Sequence, residues 1–470
     1  MEAIQTEIVV IGAGPGGYSA AFYAADRGKK VILVEQNQNL GGVCLNYGCI
    51  PSKAFLYATQ LIRDAKESKN RGISFQEPRI DLSQLNAWKG SVVSKLSQGV
   101  TSLAQRRNIQ MIHGTARFEP DNLLKVETRE GDRMIQFHKA IIAVGSRPSL
   151  PKAFDIGSKR VMTSTEALEM ADIPAELLIV GGGYIGMELG TVYATLGSRV
   201  VVAEALSDIL AGADSDMVRY VKNNAEKIFK EIRVKTKVLE MSLAGEKIKV
   251  LMEKDGQKID ELYDKVLVSV GRMPNGDELG LENTKVVRDE RGFIEVNDQQ
   301  RTAEPSIYAI GDVVGGVLLA HKASKEARIA VDDMLGENHS LEDYVIPSVV
   351  YTDPEIAWCG MTENEAKQKG MRVEVVKFPW AASGRAMTHD RTDGATKLIV
   401  EPGTEHILGI GICGHGAGEL IGEAVLAMEM GASARDLAQT IHAHPTLSET
   451  LMECAELYYG HATHAFVRKR

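Results

Sequence analysis

Cysteine is scarce, with five in 470 residues. That is too few for a secreted disulfide framework, and no CxxC pair offers a zinc site. Positive charge is short as well. The 54 Lys and Arg are outnumbered by 63 Asp and Glu, for a formal net charge of −9. Such a balance argues against nucleic acid as the main ligand, because phosphate binding wants an excess of cations. No uninterrupted apolar run approaches the roughly 20 residues a membrane helix needs. The first apolar strand starts within about ten residues of Met1, which leaves no room for a signal peptide. The expectation is a soluble, cytoplasmic protein with no nucleic-acid partner and no membrane span. The remainder is ordinary: 44% apolar and 25% charged residues, in a chain long enough for about two to four domains and a substantial core.

Two of the few cysteines stand close together, in Gly41-Gly42-Val43-Cys44-Leu45-Asn46-Tyr47-Gly48-Cys49-Ile50-Pro51-Ser52-Lys53. Gly48 permits the backbone distortion that closing a small ring between them requires. Pro51 suits the first turn of a helix, so the pair is expected where a loop enters one. A helix N-terminus and a nearby lysine both favour a thiolate, and Lys53, four residues after Cys49, shares its face. Two readings are open on these residues alone: a redox disulfide whose charge Lys53 manages, or two unpaired core thiols. The surroundings favour the first.

Before this stretch, Glu7–Ile11 reads as a buried strand that runs into Gly12-Ala13-Gly14-Pro15-Gly16-Gly17, an Ala-rich helix and a second strand ending in Glu35. This is the dinucleotide fingerprint in its required context. Gly12 makes the turn, Gly14 admits a pyrophosphate and Gly17 lets helix and strand pack. The helix N-terminus takes the phosphates and Glu35 the ribose hydroxyls. The pattern recurs as Leu177–Val180, then Gly181-Gly182-Gly183-Tyr184-Ile185-Gly186, a helix carrying Glu188, and Val200–Glu204. In both copies the acid falls eighteen residues after the last fingerprint glycine. Two dinucleotide sites are therefore expected. Glu204 accepts free ribose hydroxyls and repels a 2′-phosphate, which favours NAD over NADP.

Two further strands end alike, at Val144-Gly145-Ser146-Arg147-Pro148 and Val270-Gly271-Arg272-Met273-Pro274, and read as crossings out of one domain and then the next. Ile307–Asp312 places a carboxylate at a sheet's carboxyl edge, either for a ligand or as a plain turn. From about Ile346 the pattern changes to alternating strands and longer helices. There, His444 with Glu449 forms a possible acid/base pair, although Thr446 and Glu449 also fit a capping box on the last helix. His444 is favoured over His442 because Pro445 restrains its backbone. Cys359, Cys413 and Cys454 read as small core residues.

Collected together, these motifs resemble the dithiol/disulfide flavoprotein oxidoreductases nearly end to end, with Leu319-Ala320-His321-Lys322 as a further match. Only His461–Arg470 looks individual. The resemblance implies an α/β fold with two Rossmann-like dinucleotide-binding domains and a C-terminal α+β dimerisation domain. The expected divisions are 1–149 for the first part of the FAD domain, 150–275 for the NAD domain, 276–345 for a central domain completing the FAD site, and 346–470 for the interface. FAD would be held by Gly12, Gly14, Gly17, Glu35, Lys53, Asp312 and Ala320. NAD would be held by Gly181, Gly183, Gly186, Glu204 and Gly271, and Ala116 and Val238 are further cofactor-binding positions on the same grounds. Cys49 would face the flavin while Cys44 exchanges with substrate, and Lys53 would pair with Glu188. His444 and Glu449 would serve the cysteine pair of the other subunit, making the homodimer obligatory. The members most like this chain oxidise protein-bound dihydrolipoamide with NAD. Expected partners are the lipoyl domains and acyltransferase subunits of 2-oxo acid dehydrogenase complexes, and the lipoylated carrier protein of glycine cleavage. Glutathione-reductase-like members carry arginines where Glu204 and its neighbours stand, and mercuric-reductase-like members have an extra C-terminal cysteine pair that this tail lacks. The alternatives are an NADPH-dependent reductase of another small disulfide and a non-catalytic flavoprotein scaffold; no metal is expected.

Overall fold

The computed structural model describes residues 3–120 and 122–466. Its first sheet grows from β1 (Ile4–Ile11), whose last four residues are all buried. Gly12 turns the chain directly into α1 (Pro15–Asp26), which returns it to β2 (Val31–Glu35). Then come a short helix α2 (Gly42–Tyr47), the long α3 (Cys49–Glu67) and α4 (Leu82–Arg106), the last capped by the Asp81 side chain. Strands β3 (Gln110–His113), β4 (Thr115–Glu119), β5 (Leu123–Thr128) and β6 (Gly131–Ile142) complete the order β3-β2-β1-β6-β5-β4. The β1, β2 and β3 pairings are parallel, and so is β1 with β6, because their connections cross over the sheet. A parallel sheet must be covered on both faces, which is why these strands are nearly uninterrupted apolar runs.

The second sheet repeats the device. The chain crosses by β7 (Ser146–Pro148) to β8 (Val161–Met162), α5 (Ser164–Glu169), β9 (Glu176–Val180), α6 (Tyr184–Leu196), β10 (Arg199–Ala203), α7 (Ser215–Ile228) and β11 (Glu231–Arg233). An antiparallel layer of β12 (Thr236–Ala244), β13 (Lys247–Lys254) and β14 (Gln257–Tyr263) covers one face, and β15 (Lys265–Val268) re-enters the parallel sheet beside β9. The return crossing, β16 (Arg272–Pro274), pairs antiparallel with β7. The two similar exits in the sequence are thus one two-stranded ribbon. β17 (Ile307–Ala309) then joins the first sheet parallel to β6, and α8 (Ala320–Met334) packs against α1.

The final sheet has the order β18-β19-β22-β21-β20 and is antiparallel throughout. Its strands are β18 (Ser348–Val350), β19 (Glu355–Gly360), β20 (Glu374–Pro379), β21 (Ala395–Val400) and β22 (Ile407–Gly414). The helices among and after them are α9 (Glu363–Gln368), α10 (Gly384–His389), α11 (Ala417–Glu429), α12 (Ala434–Gln439) and α13 (Glu449–Tyr459). Cys359, Cys413 and Cys454 are buried in or beside this sheet. One apolar cluster joins Phe55 and Leu56 of α3 to Leu177, Met187 and Val192 of the second unit and to Val350 and Ile356 of the third. The cysteine-bearing helix is therefore packed where all three parts meet. Among the described residues no helix is long and apolar enough to cross a membrane.

Candidate functional site

The two fingerprint turns are built alike. Gly12 has φ +95°, and a Cβ there would meet the Ala143 carbonyl at 2.5 Å; Gly181 has φ +103°, and its Cβ would meet the Ser269 carbonyl at 2.5 Å. Side chains at Gly17 and Gly186 would collide with the carbonyls of Gly12 and Gly181. Glu35 accepts from the Ala13 N–H at 2.8 Å and the Asn37 N–H at 2.8 Å. Glu204 accepts from the Gly182 N–H at 2.7 Å and the Leu206 N–H at 2.7 Å. Both carboxylates, expected to serve a ribose, thus also brace the turn that would hold the phosphates. Glu35 Oε1 also takes the Asn37 side-chain amide at 3.0 Å, which leaves Glu35 Oε2 and both Glu204 oxygens with a second lone pair for a hydroxyl.

These turns fit a dinucleotide. Gly14 and Gly183 are the N-caps of α1 and α6, and neither supplies a side-chain cap, so first-turn N–H groups stay available to an anion. A Cβ on Gly183 would meet nothing within 4 Å. Ala320 opens α8 in the same manner, behind an N-cap without a side-chain bond. Asp312 takes a bond from Ser146 Oγ at 2.5 Å and lies 3.7 Å from Arg272 Nε. Gly271, at φ +132°, leads into Arg272, which bonds the Ser146 hydroxyl and carbonyl at 2.7 Å each. Ala116 in β4 and Val238 in β12 are buried strand residues.

The cysteine stretch is seated on the first fingerprint. The Gly41 N–H bonds the Ala13 carbonyl at 2.8 Å, and a Cβ on Gly42 would lie 2.6 Å from Gly14 Cα. Cys49 begins α3, as expected from Pro51, but Cys44 lies within the helical turn of α2 and not in a loop. All five cysteines are free, so the pair expected as a disulfide stands here in its dithiol form. The two thiols are strongly unequal. A hydrogen bond from Cys44 is the largest influence holding Cys49 down to about 7, burial opposes it, and Lys53 adds to the lowering. Cys44, half-buried and supplying that bond, is pushed up. Lys53, expected to favour the thiolate, is among the groups that lower Cys49.

Lys53 Nζ meets Glu188 Oε2 at 2.7 Å and lies 4.6 Å from the Tyr351 ring centroid. Glu188 Oε1 accepts the Tyr351 N–H at 3.0 Å. Burial depresses Lys53, but Glu188 outweighs it and raises the ammonium above its ordinary value. Tyr351, Ser146 and Arg272 complete these contacts and were not singled out from sequence. The repeated Gly-Ser-Arg-Pro and Gly-Arg-Met-Pro pattern was a signal for two of them; Tyr351 had none. Tyr184, 42% exposed, sits within electrostatic reach of Arg272, Asp312 and Cys49.

His444 is held from α13. Its Nδ1 pairs with Glu449 Oε1 at 2.9 Å, while Glu449 Oε2 accepts the Thr446 N–H at 2.7 Å. Glu449 thus makes the contacts that both readings call for. It orients the imidazole and also satisfies a backbone donor, although the helix N-cap is Ser448 and only half of a capping box forms. Burial would raise Glu449, but Thr446 and His444 outweigh it and keep it a carboxylate. The His444 side chain is 71% exposed. Both ring nitrogens of His442 are engaged, with Glu423 at 2.6 Å and the Thr440 carbonyl at 2.9 Å.

Two nucleotide-type turns, with a polarised dithiol seated on one and backed by a lysine–glutamate pair, define a dinucleotide-dependent dithiol oxidoreductase. Residues 6–327 match the pyridine nucleotide-disulphide oxidoreductase family and residues 346–455 its dimerisation domain, and the chain belongs to that family. The chain is 46% identical over 461 residues to the dihydrolipoyl dehydrogenase of Haemophilus influenzae, covering 98% of this chain and 96% of that one. It is 43% identical over 461 residues to the dihydrolipoyl dehydrogenase of Staphylococcus aureus, covering 98% of each. Among solved structures it is similar to LpdA from Mycobacterium tuberculosis, with TM-score 0.87 at 25% identity over 96% of this chain and 99% of that one. A copper(II) complex of the HOCl-induced flavoprotein disulfide reductase RclA from Escherichia coli gives TM-score 0.86 at 30% identity, covering 97% and 100%. The chain is accordingly an NAD-dependent oxidoreductase that uses FAD and NAD and pairs as a homodimer.

Proposed function

We propose that the protein oxidises dihydrolipoamide, carried on a lipoyl domain or lipoylated carrier protein, to lipoamide with NAD as acceptor. The observation that carries this reading is the Cys44–Cys49 stretch seated on the first fingerprint turn, through the Gly41 N–H bond to the Ala13 carbonyl at 2.8 Å, with the Lys53–Glu188 pair at 2.7 Å one turn further along α3. In the oxidised enzyme Cys44 and Cys49 form a disulfide. His444 Nε2 removes a proton from a substrate thiol while Glu449 holds the ring by Nδ1 and stabilises the imidazolium. The substrate thiolate attacks the Cys44 sulfur and Cys49 departs as thiolate, since the lower-pKa sulfur leaves faster. The second substrate thiol then displaces Cys44, which departs with a proton and releases the substrate disulfide. The chemistry supplied by bound FAD and NAD is acceptance of the electron pair from the dithiol and its onward transfer as hydride.

The remaining residues divide by position. Gly12, Gly14, Gly17, Glu35, Lys53, Ala116, Asp312 and Ala320 would hold FAD. Gly181, Gly183, Gly186, Glu204, Val238 and Gly271 would hold NAD. His444 and Glu449 act on the cysteine pair of the partner subunit, so each centre needs both chains. The protein would serve 2-oxo acid dehydrogenase complexes and glycine cleavage, in the cytoplasm, where Cys359, Cys413 and Cys454 stay reduced.

Steady-state oxidation of dihydrolipoamide with NAD and with NADP tests the assignment. Turnover with NAD and little with NADP is expected, given the Glu204 carboxylate. A preference for NADP, or no oxidation by the FAD-loaded protein, would overturn it.

A further inference from the structure

Behind Asp312 and the N-terminus of α8 at Ala320 lies a buried ion pair that the proposed chemistry does not use. Lys322 and Glu326 are 5% and 1% exposed. They stand one turn apart on α8, with Lys322 Nζ 2.5 Å from Glu326 Oε1. The other carboxylate oxygen, Glu326 Oε2, accepts the Gly311 N–H at 2.7 Å, and Lys322 Nζ donates to the Gly315 carbonyl at 3.1 Å. Asp312 is carried on a single helical turn, Gly311–Val314, which Gly311 opens and Gly315 closes. One ion pair therefore grips both ends of that turn and ties it to α8. The helix is in turn seated on the first fingerprint: a Cβ on Gly16 would meet Ala323 Cβ at 3.2 Å, and one on Gly311 would meet it at 3.3 Å.

A buried ion pair is a weak source of stability, because desolvation offsets much of its attraction and an apolar pair of similar volume often serves as well. An apolar pair could neither accept the Gly311 N–H nor donate to the Gly315 carbonyl. We propose that Lys322 and Glu326 are positioning residues for the flavin: they fix the Asp312 carboxylate relative to the α8 N-terminus, so that one FAD molecule meets both. This rests on Asp312 and Ala320 contacting FAD as proposed. Both side chains act through the backbone of the turn.

The test is flavin retention by the full-length FAD-loaded dimer. The rate at which flavin fluorescence appears on dilution is read well below the unfolding temperature, with the visible flavin spectrum and the thermal midpoint measured on every variant. Lys322→Met and Glu326→Leu should each release FAD roughly ten- to a hundredfold faster, the order expected when bonds to a charged group are lost. Each should also lower the midpoint, because its partner is left uncompensated. Glu326→Gln, which keeps an acceptor for the Gly311 N–H, should release FAD more slowly than Glu326→Leu. The double variant Lys322→Met/Glu326→Leu separates positioning from stability. With no buried charge left, its midpoint should recover toward that of the wild type, while FAD release stays fast because neither end of the turn is held. Lys397→Met, which breaks a buried ion cluster of the final sheet, should lower the midpoint and leave FAD release unchanged. A double variant that regains wild-type retention would overturn the proposal, as would single variants that release FAD no faster than Lys397→Met. Asp312→Ala distinguishes the two levels. If it retains FAD as the wild type does, the flavin assignment of Asp312 fails and the positioning role falls with it. Fast release from Asp312→Ala beside wild-type retention in the double variant removes only the role of the ion pair.

Discussion

Lys53 and Glu188 stand 135 residues apart in sequence and 2.7 Å apart in space. Lys53 lies one turn after Cys49 on α3, and Glu188 comes from the second nucleotide-binding unit. The pair therefore couples the sulfur chemistry of one unit to the packing of another. Its carboxylate is 4% exposed, so neither partner can be removed without leaving the other short of its counter-charge.

That coupling predicts opposite changes at one sulfur. Lys53→Met removes a cation that lowers Cys49, so its thiolate should form above the present value of about 7. Glu188→Gln removes a carboxylate that raises it, and the thiolate should form lower. The rate of iodoacetamide alkylation against pH, in enzyme reduced with a dithiol, measures both. Movement in the same direction would refute the electrostatic account.

Glu204→Ala should raise the KM for NAD while flavin content is retained, and Glu35→Ala should reduce flavin retention. Each change removes ribose contacts and also frees two backbone N–H groups that brace the turn. Bonds to a charged group are worth about 1.5–3 kcal/mol, so a loss of roughly ten- to a hundredfold is expected. Unchanged NAD kinetics in Glu204→Ala would dismiss the ribose assignment.

His444→Gln should leave FAD bound and cut dihydrolipoamide oxidation by about a hundredfold or more, the usual worth of a positioned base. Glu449→Gln should weaken both the hold on Nδ1 and the Thr446 bond, with a smaller loss. Stopped-flow reduction of the enzyme by dihydrolipoamide isolates this step from NAD reduction.

Lys397 is 2% exposed and bonds Asp214 at 3.0 Å, Asp216 at 2.8 Å and Glu363 at 2.7 Å, tying α7 to the final sheet. Lys397→Met should destabilise the chain by about 3–5 kcal/mol, the cost of leaving buried charge uncompensated. Burial opposes ionisation of Asp216, but Lys397 and Lys377 outweigh it and lower its pKa; Lys367 and Lys397 lower that of Glu363. Carboxylates with depressed folded values contribute stability that is full above their unfolded values, near pH 4, and is lost as pH falls through the folded ones. Denaturant midpoints between pH 7 and pH 3 should fall more steeply in the wild type than in Lys397→Met.

Much of this molecule is legible without coordinates. The two fingerprints, their terminal glutamates, the cysteine stretch and the His444–Glu449 spacing are local patterns, in which neighbours along the chain become neighbours in space within one turn or one strand-turn-helix unit. Backbone sterics at Gly12 and Gly181, and the i to i+4 geometry of Cys49 and Lys53, are decided at that range. Tertiary structure alone decided how such pieces meet. It paired the Ser146 and Arg272 exits into one ribbon, brought Tyr351 to the Glu188 carboxylate and placed Lys397 among three acids. None of these contacts leaves a periodicity or spacing in the chain, because each depends on which surfaces pack once the sheets have formed.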